Sequence, residues 1–421
     1  MGWGGGRVLR DRNVVIYLSG VIISVFGTSA MSLAAGVWTK SLTESDSLAA
    51  LTTFCVWAPI LFGPLIGTLA DRVHRRPLLI WSNVGMAVVL LPLLTVHSSE
   101  QIWILFAVLT VYGISSVLMD AAESALVAAA VPTSLRGDFN GLRMTVNESM
   151  KLVAPLLGAL LFVHLGGRAV ALLDAATFVL AAAAFAFIRV SEPAPHPTKD
   201  QRFSVQVAEG TRYLRRHPAL RRLVLAGAAT MGVAGLNAAS VYAVVDSGLQ
   251  RPPAFAGVLY AVQGAGSVLI GLFAGALLRR MPESVFAAAG IMLFALGVAL
   301  RVTPSMPVVL LASAMIGAGL PCVLIAALTA VQRESPDHLL GRVAATANTL
   351  LYAPNAIALA AGAGLLALVD HRVLLIIAAI AAAIAAVTSL PGKRARIRTT
   401  VPAPAEAART EDQGAEGTEA R

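Results

Sequence analysis

The chain has 421 residues, 57% hydrophobic and 13% charged, with a mean hydropathy of +0.76. Soluble domains run at about 45–50% apolar and about 25% charged, so a soluble protein is excluded. The formal net charge of +9 would suit nucleic acid only if basic residues clustered among aromatics, and here they sit between apolar blocks instead.

Those blocks are about 20 residues long, the length that crosses about 30 Å of hydrocarbon. Twelve spans are predicted. The first, 14–36, follows basic residues, but it is too long for the apolar core of a signal peptide and more spans follow it. Tyr17, Ser24, Thr28 and Ser32 share one of its faces. Spans 48–70 and 77–97 are joined by the charged turn "GTLADRVHRR". In span 102–131, Tyr112, Ser116, Asp120 and Glu123 are spaced 4, 4 and 3, which sets them on one face. Span 139–165 carries Glu148 and Lys151, three apart, and 169–188 follows.

Residues 189–219 form a long polar, Pro-containing loop. Spans 220–245, 254–278, 284–303, 307–331, 341–369 and 372–390 then complete the set. Thr230, Asn237 and Ser240 share a face of the first of these. Span 307–331 is nearly all apolar, with Gly317 and Gly319, and suits a hydrophobic substrate better than a sugar. Asp174 and Asp246 fall near span ends and are expected to be solvated. Residues 391–421, rich in Pro, Ala and charge, are expected to be disordered. Cys55 and Cys322 lie inside apolar runs and read as small buried apolar residues.

Lys and Arg sort by side. With the N-terminus inside, 26 of the 32 fall in cytoplasmic segments, five (Lys40, Arg168, Arg251, Arg301 and Arg372) fall outside as topology markers, and Lys151 is intramembrane. Basic residues near span ends are retained in the cytoplasm, so both termini are expected there, in a multi-pass protein of the cell membrane. The halves also repeat at a fixed offset of 204 residues. Ile66, Gly67, Ala70, Arg75 and Arg76 match Ile270, Gly271, Ala274, Arg279 and Arg280. Gly113 matches Gly317, and Pro132, Gly137, Gly158 and Arg168 match Pro336, Gly341, Gly362 and Arg372. The expected fold is therefore an all-α polytopic membrane protein with twelve transmembrane helices in two pseudo-symmetric six-helix bundles. Its parts are 1–188, a central cytoplasmic loop 189–219, 220–390 and a tail 391–421. A parallel repeat of this kind puts a binding site between the halves, near the midplane.

The turn carries Gly67, Asp71, Arg72, Arg75 and Arg76 in the pattern G-x-x-x-D-R-x-x-R-R. It closely resembles the signature loop of the major facilitator superfamily, G-x-x-x-D-R/K-x-G-R-R/K, with His74 where that family usually has Gly. The resemblance extends over about residues 10–390. It implies a conformational latch in which Asp71 meets a neighbouring helix N-terminus and basic residues, here Arg136, Arg143 or the start of the eleventh span at Gly341–Arg342. Topology alone would need the arginines but not the aspartate. The second copy has Gly275 in place of the acid. "VPTSLRGDFNGLRMTVNESMKLVAPLLGALLFVHLGG" is similar to the branch holding macrolide-efflux proteins and the enterobactin exporter. The Gly-Pro motif of family antiporters is only partly present, as Ala154–Pro155–Leu156–Leu157–Gly158–Ala159.

Charge inside a span is costly and marks function by default. Counted from the cytoplasmic ends, Asp120 and Lys151 lie roughly 17 Å deep, and Glu123 and Glu148 roughly 13 Å. Asp120, Glu123, Glu148 and Lys151 are therefore the candidate proton-coupling cluster, with a neutral structural Glu–Lys pair as the plainer alternative. Tyr17, Ser24, Thr28, Tyr112, Ser116, Asn237 and Ser240 are candidate cavity residues, because spans 1, 4, 7 and 10 line the cavity in the resembled family. There is no G-x-x-x-x-G-K loop, no long catalytic insertion and no metal-ligand spacing. No enzymatic activity, cofactor or metal is expected. The expectation is a monomeric secondary transporter in the lipid bilayer that exports an amphipathic small molecule in exchange for protons. The alternatives are a siderophore exporter or solute importer on the same fold, or a non-transporting membrane sensor.

Overall fold

The computed structural model describes residues 12–63, 66, 73–130, 136–188 and 203–390. Nearly all of these are helical, and no strand occurs among them. The helices are α1 (Arg12–Thr43), α2 (Asp46–Trp57, running into a 3₁₀ turn over Ala58–Phe62), α3 (Arg75–Val89), α4 (Ile102–Ala130) and α5 (Arg136–Phe187). Then come α6 (Phe203–Arg216), α7 (Pro218–Ala239), α8 (Ala256–Leu278), α9 (Glu283–Leu300), α10 (Met306–Glu334), α11 (Asp337–Leu365) and α12 (His371–Ser389). Nine helical stretches among the described residues are long and apolar enough to cross a bilayer.

The expected spans 139–165 and 169–188 meet in one element here, while the expectation for the central loop changes. Element α5 runs over 52 residues, far longer than a bilayer requires, and is two helices joined at Gly166. Its φ of 78° is a conformation that glycine adopts without steric penalty. The change falls in the central loop. Residues Phe203–Arg216 are helical, with apolar positions on one face and basic residues in the last turn. This helix docks on its neighbours: Glu209 pairs with Arg342 at the start of α11, and the Tyr213 hydroxyl donates to the Glu334 carbonyl at the end of α10. Residues 189–202 and 391–421 lie outside the described residues.

Close helix packing explains the repeated glycines. Without a hydrophobic drive between helices in lipid, association depends on small residues that let backbones approach. A Cβ on Gly158 would lie 2.7 Å from Ala30 Cα, where α5 crosses α1; one on Gly362 would lie 2.7 Å from Ala239 Cβ, where α11 crosses α7. In the same way a Cβ on Gly113 of α4 would lie 2.3 Å from the Val56 carbonyl oxygen, and one on Gly317 of α10 would lie 1.8 Å from that of Gln263 in α8. Gly113 with Gly317, and Gly158 with Gly362, thus serve the equivalent crossing in each half. Gly319 packs on Gly290 and Phe294 of α9, so both glycines face other helices.

The buried apolar residues form two main clusters. One is drawn from the first half of the chain, including Met31, Leu79, Leu105, Leu126 and Phe185. The other is centred on the second half, including Phe294, Val323, Leu351 and Leu375, and takes in Leu33, Val37 and Ala159. The halves touch through α2 against α11 and α5 against α8. Ala363 on α11 and Ala159 on α5, both buried at these seams, are themselves 204 residues apart. Outward-facing apolar side chains such as Trp81, Leu272, Leu311 and Ile384 are exposed, as a lipid-facing surface requires.

Candidate functional site

Helices α1 and α4 run antiparallel and meet along a polar seam. The Tyr17 hydroxyl donates to Glu123 Oε2 at 2.8 Å, and the Tyr17 ring stacks edge-on to Phe185. Further along, the Thr28 hydroxyl lies beside that of Tyr112. Both pairs of residue numbers sum to 140, as one antiparallel register requires, and the same register sets Ser24 level with Ser116. The sequence-predicted residues of the first and fourth spans are therefore matched partners across one seam.

Exposure on α4 occurs on two sides. Val111 and Ile114 are exposed on an apolar side. Ser116 and Asp120 are also exposed, between about 120° and 180° around the helix from them. An apolar side suits lipid. A serine and an aspartate exposed on the other side of a membrane helix suit a wet space inside the bundle. Asp120 and Glu123 both make further polar or electrostatic contacts. The backbone carrying Glu148 and Lys151 is helical, but their side chains lie outside the described residues.

Tyr112, a candidate for the cavity, is buried, and its hydroxyl donates to Asp174 Oδ2 at 3.0 Å. Asp174 corrects the expectation that it is solvated: it is 0% exposed. Its position along the span placed it near an end, but its side chain points inward, against Gly27 of α1 and Thr177 of its own helix. Asp246 is 48% exposed and ion-paired.

In the second half, the candidates Asn237 and Ser240 are also buried. Ser240 donates to the Leu236 carbonyl. Asn237 Oδ1 accepts from Arg301 at 2.9 Å, and a second Arg301 nitrogen donates to Ser313 at 3.1 Å. Arg301 was expected to mark topology on the outer side; it is 3% exposed and ties α7, α9 and α10 together. The long side chain reaches back from the helix end to polar partners inside.

One end of the bundle is closed by a charge cluster. Lys40, 7% exposed, lies 3.0 Å from Asp46 Oδ1 and 2.8 Å from Asp246 Oδ2, and donates to the Glu44 carbonyl at 3.0 Å. Lys40 and Asp46 belong to the first half and Asp246 to the second. Beside it, Tyr242 reaches the Leu33 carbonyl at 3.4 Å, in a space that exists because residue 36 is glycine: a Cβ there would lie 1.9 Å from the Tyr242 hydroxyl. A polar cavity of about 360 Å³ at this end is lined by Asp46, Ser247, Asp370, His371 and Arg372. Sequence reading missed this cluster because Asp246 lies 206 positions from Lys40 in the chain.

Of the latch residues, Gly67, Asp71 and Arg72 lie outside the described residues. Arg75 opens α3. Arg76 donates to the carbonyls of Phe185 and Ala186 at the end of α5, where a cation complements the negative pole of the helix. Among the described residues no group of His, Cys, Asp and Glu is arranged to hold a metal.

The described residues form a helical membrane bundle with paired glycine crossings and polar seams between its helices. The Major Facilitator Superfamily matches residues 17–359, and the chain belongs to that family. It is 25% identical over 219 residues to the uncharacterized MFS-type transporter YfiS of Bacillus subtilis (strain 168), covering 51% of this chain and 52% of the relative. It is 26% identical over 190 residues to macrolide efflux protein A of Streptococcus pyogenes, covering 44% and 46%. The chain spans about half the length of these two relatives. Against multidrug efflux pump Tap of Mycobacterium tuberculosis (strain ATCC 25618 / H37Rv) it is 25% identical over 346 residues, 75% of this chain and 78% of that one. Solved structures share the fold. An auto-inhibited POT family peptide transporter aligns with a TM-score of 0.74 at 15% identity, over 94% of this chain and 98% of that one. The nucleoside transporter NupG aligns at 0.71 and 13%, over 90% and 98%.

Proposed function

We propose that this protein exports an amphipathic small molecule, of the drug or natural-product class, in exchange for protons. The observation that carries the reading is the polar face of α4: Ser116 and Asp120 are exposed opposite the apolar face, with Tyr17–Glu123 on the adjoining seam. A carboxylate at that depth in an otherwise apolar wall is costly to keep unless it works. The names of the macrolide and multidrug efflux relatives support the direction and the substrate class.

In this reading the chain makes twelve spans, six on either side of the central segment, as a monomer with both termini in the cytoplasm. The Lys40 cluster then lies on the outer side and holds that side shut, leaving α4 open to the cytoplasm. Asp120, Glu123 and Glu148 are the titrating groups and Lys151 their modulating cation. Ser24, Thr28 and Ser116 line the path of the substrate. Asp71, with Gly67, Arg72, Arg75 and Arg76, latches the opposite conformation.

The test uses proteoliposomes with an imposed proton gradient and rhodamine 6G as the transported dye. Asp120→Asn should still bind the dye but lose uphill extrusion, because the amide neither gains nor loses a proton. Wild-type vesicles that fail to concentrate the dye, with or without a gradient, would argue against proton-driven drug export.

A further inference from the structure

A second carboxyl, separate from the coupling candidates, is built into the first half, with no cation beside it among the described residues. Asp174 is 0% exposed, and two side chains bond it. Tyr112 on α4 donates to Oδ2 at 3.0 Å; Thr177 Oγ lies 3.2 Å from Oδ1 and 2.7 Å from the Asp174 carbonyl oxygen. A threonine hydroxyl has one proton to donate. If it serves the carbonyl at the shorter distance, its lone pairs face Oδ1, and the contact is satisfied when Oδ1 itself carries a proton. Gly27 of α1 seals the remaining side: a Cβ there would lie 2.3 Å from Oδ1 and 2.1 Å from Thr177 Oγ.

Among the described residues, the charged and titratable groups on the surrounding helices lie elsewhere; on the same helix Arg168 is six residues away, about 9 Å, and exposed. On α1, Lys40 is 13 residues from Gly27, about 20 Å along the helix, and is engaged by Asp46 and Asp246. Tyr17 lies ten residues the other way, bonded to Glu123. On α4, Asp120 and Glu123 are 8 and 11 residues beyond Tyr112, about 12 and 17 Å. On α3, Arg76 binds the carbonyls of Phe185 and Ala186, and Phe185 is 11 residues further along the Asp174 helix, about 16 Å. Tyr260 of α8 belongs to the other half. An ionised carboxylate in such a place would be uncompensated, which costs far more than holding a proton.

We propose that Asp174 is an occluded proton-binding site, a second station about 17 Å along α4 from Glu123. This rests on the reading that the transporter exchanges its substrate for protons. In the conformation described, the proton is bonded to Oδ1 and faces Thr177, while Tyr112 donates to Oδ2. When α1 and α5 part at Gly27, water reaches the carboxyl; the O–H bond breaks and the proton passes to that water, and the reverse step reloads it. Tyr112 connects this site to the Thr28 hydroxyl and so to the α1–α4 seam.

The experiment is pH-difference infrared spectroscopy on the purified full-length protein in lipid nanodiscs, with no substrate added. The expected wild-type spectrum shows a protonated carboxyl C=O band near neutral pH. Asp174→Asn should remove it and Asp120→Asn should leave it. Tyr112→Phe should shift its frequency without loss of intensity, because one donor to the carbonyl oxygen is gone. An Asp174→Asn spectrum identical to wild type, or an unshifted band in Tyr112→Phe, would overturn the assignment. Should Asp174→Asn fail to fold, the Tyr112→Phe band decides alone. Gradient-driven rhodamine 6G extrusion by Asp174→Asn at the wild-type rate would also overturn it. Failure of the wild type to extrude the dye counts against the export reading only, and the infrared bands then decide Asp174.

Discussion

The contact between Lys40 and Asp246 joins the two halves at one end, so breaking it tests whether that end opens and closes. Lys40 is ion-paired with Asp46 at 3.0 Å and with Asp246 at 2.8 Å, and it donates to the Glu44 carbonyl at 3.0 Å. A charge-assisted hydrogen bond contributes about 1.5–3 kcal/mol when shielded. Asp246 is 48% exposed, and solvent screening brings its share down to about 1 kcal/mol. That bond exists only while the halves meet, so Asp246→Asn should shift the equilibrium toward the open form about five-fold. Asp46→Asn removes a partner within the first half, one that Lys40 keeps in both conformations, and should shift it little. Spin labels at the exposed positions Ser41 and Arg251, one on each half, report the opening as a longer distance population in pulsed electron resonance. Equal shifts for the two variants, or none for Asp246→Asn, would refute a closing role for this pair.

Gly36→Ala should push the same equilibrium further. Its Cβ would fall 1.9 Å from the Tyr242 hydroxyl, and overpacking of this kind costs about 1–3 kcal/mol; the same label pair should show a larger open fraction, with the protein still folded. The orientation can be checked with a reporter active only in the cytoplasm, which should be active when fused after Arg398 and silent after Arg168. Asp71→Asn keeps the side chain's size but removes its charge, so transport should fall severely while membrane levels hold; unchanged dye extrusion would reduce the 67–76 turn to a topology marker.

Much of the fold was legible in the sequence because bilayer thickness sets the length of every span and glycine marks where helices touch. Gly113, Gly158, Gly317 and Gly362 repeat at one offset, and in three dimensions each sits at the equivalent crossing. The face shared by Tyr112, Ser116, Asp120 and Glu123 followed from helical periodicity alone. So did that of Tyr17, Ser24 and Thr28, since both need only the 3.6-residue turn. The tertiary structure decided what each face meets. Helical spacing gives a residue's depth along its own axis, but the rotation of that axis is set by packing against helices far away in the chain. Asp174 therefore read as a solvated end residue, yet it is turned toward Tyr112, 62 positions earlier. Lys40 and Arg301, read as markers of topology, are both buried among polar partners. Asp246 meets Lys40 across 206 positions, because the two halves close on each other at that end. Charge pairs of this range leave no periodic trace in the sequence, since each partner is placed by the packing of a different helix.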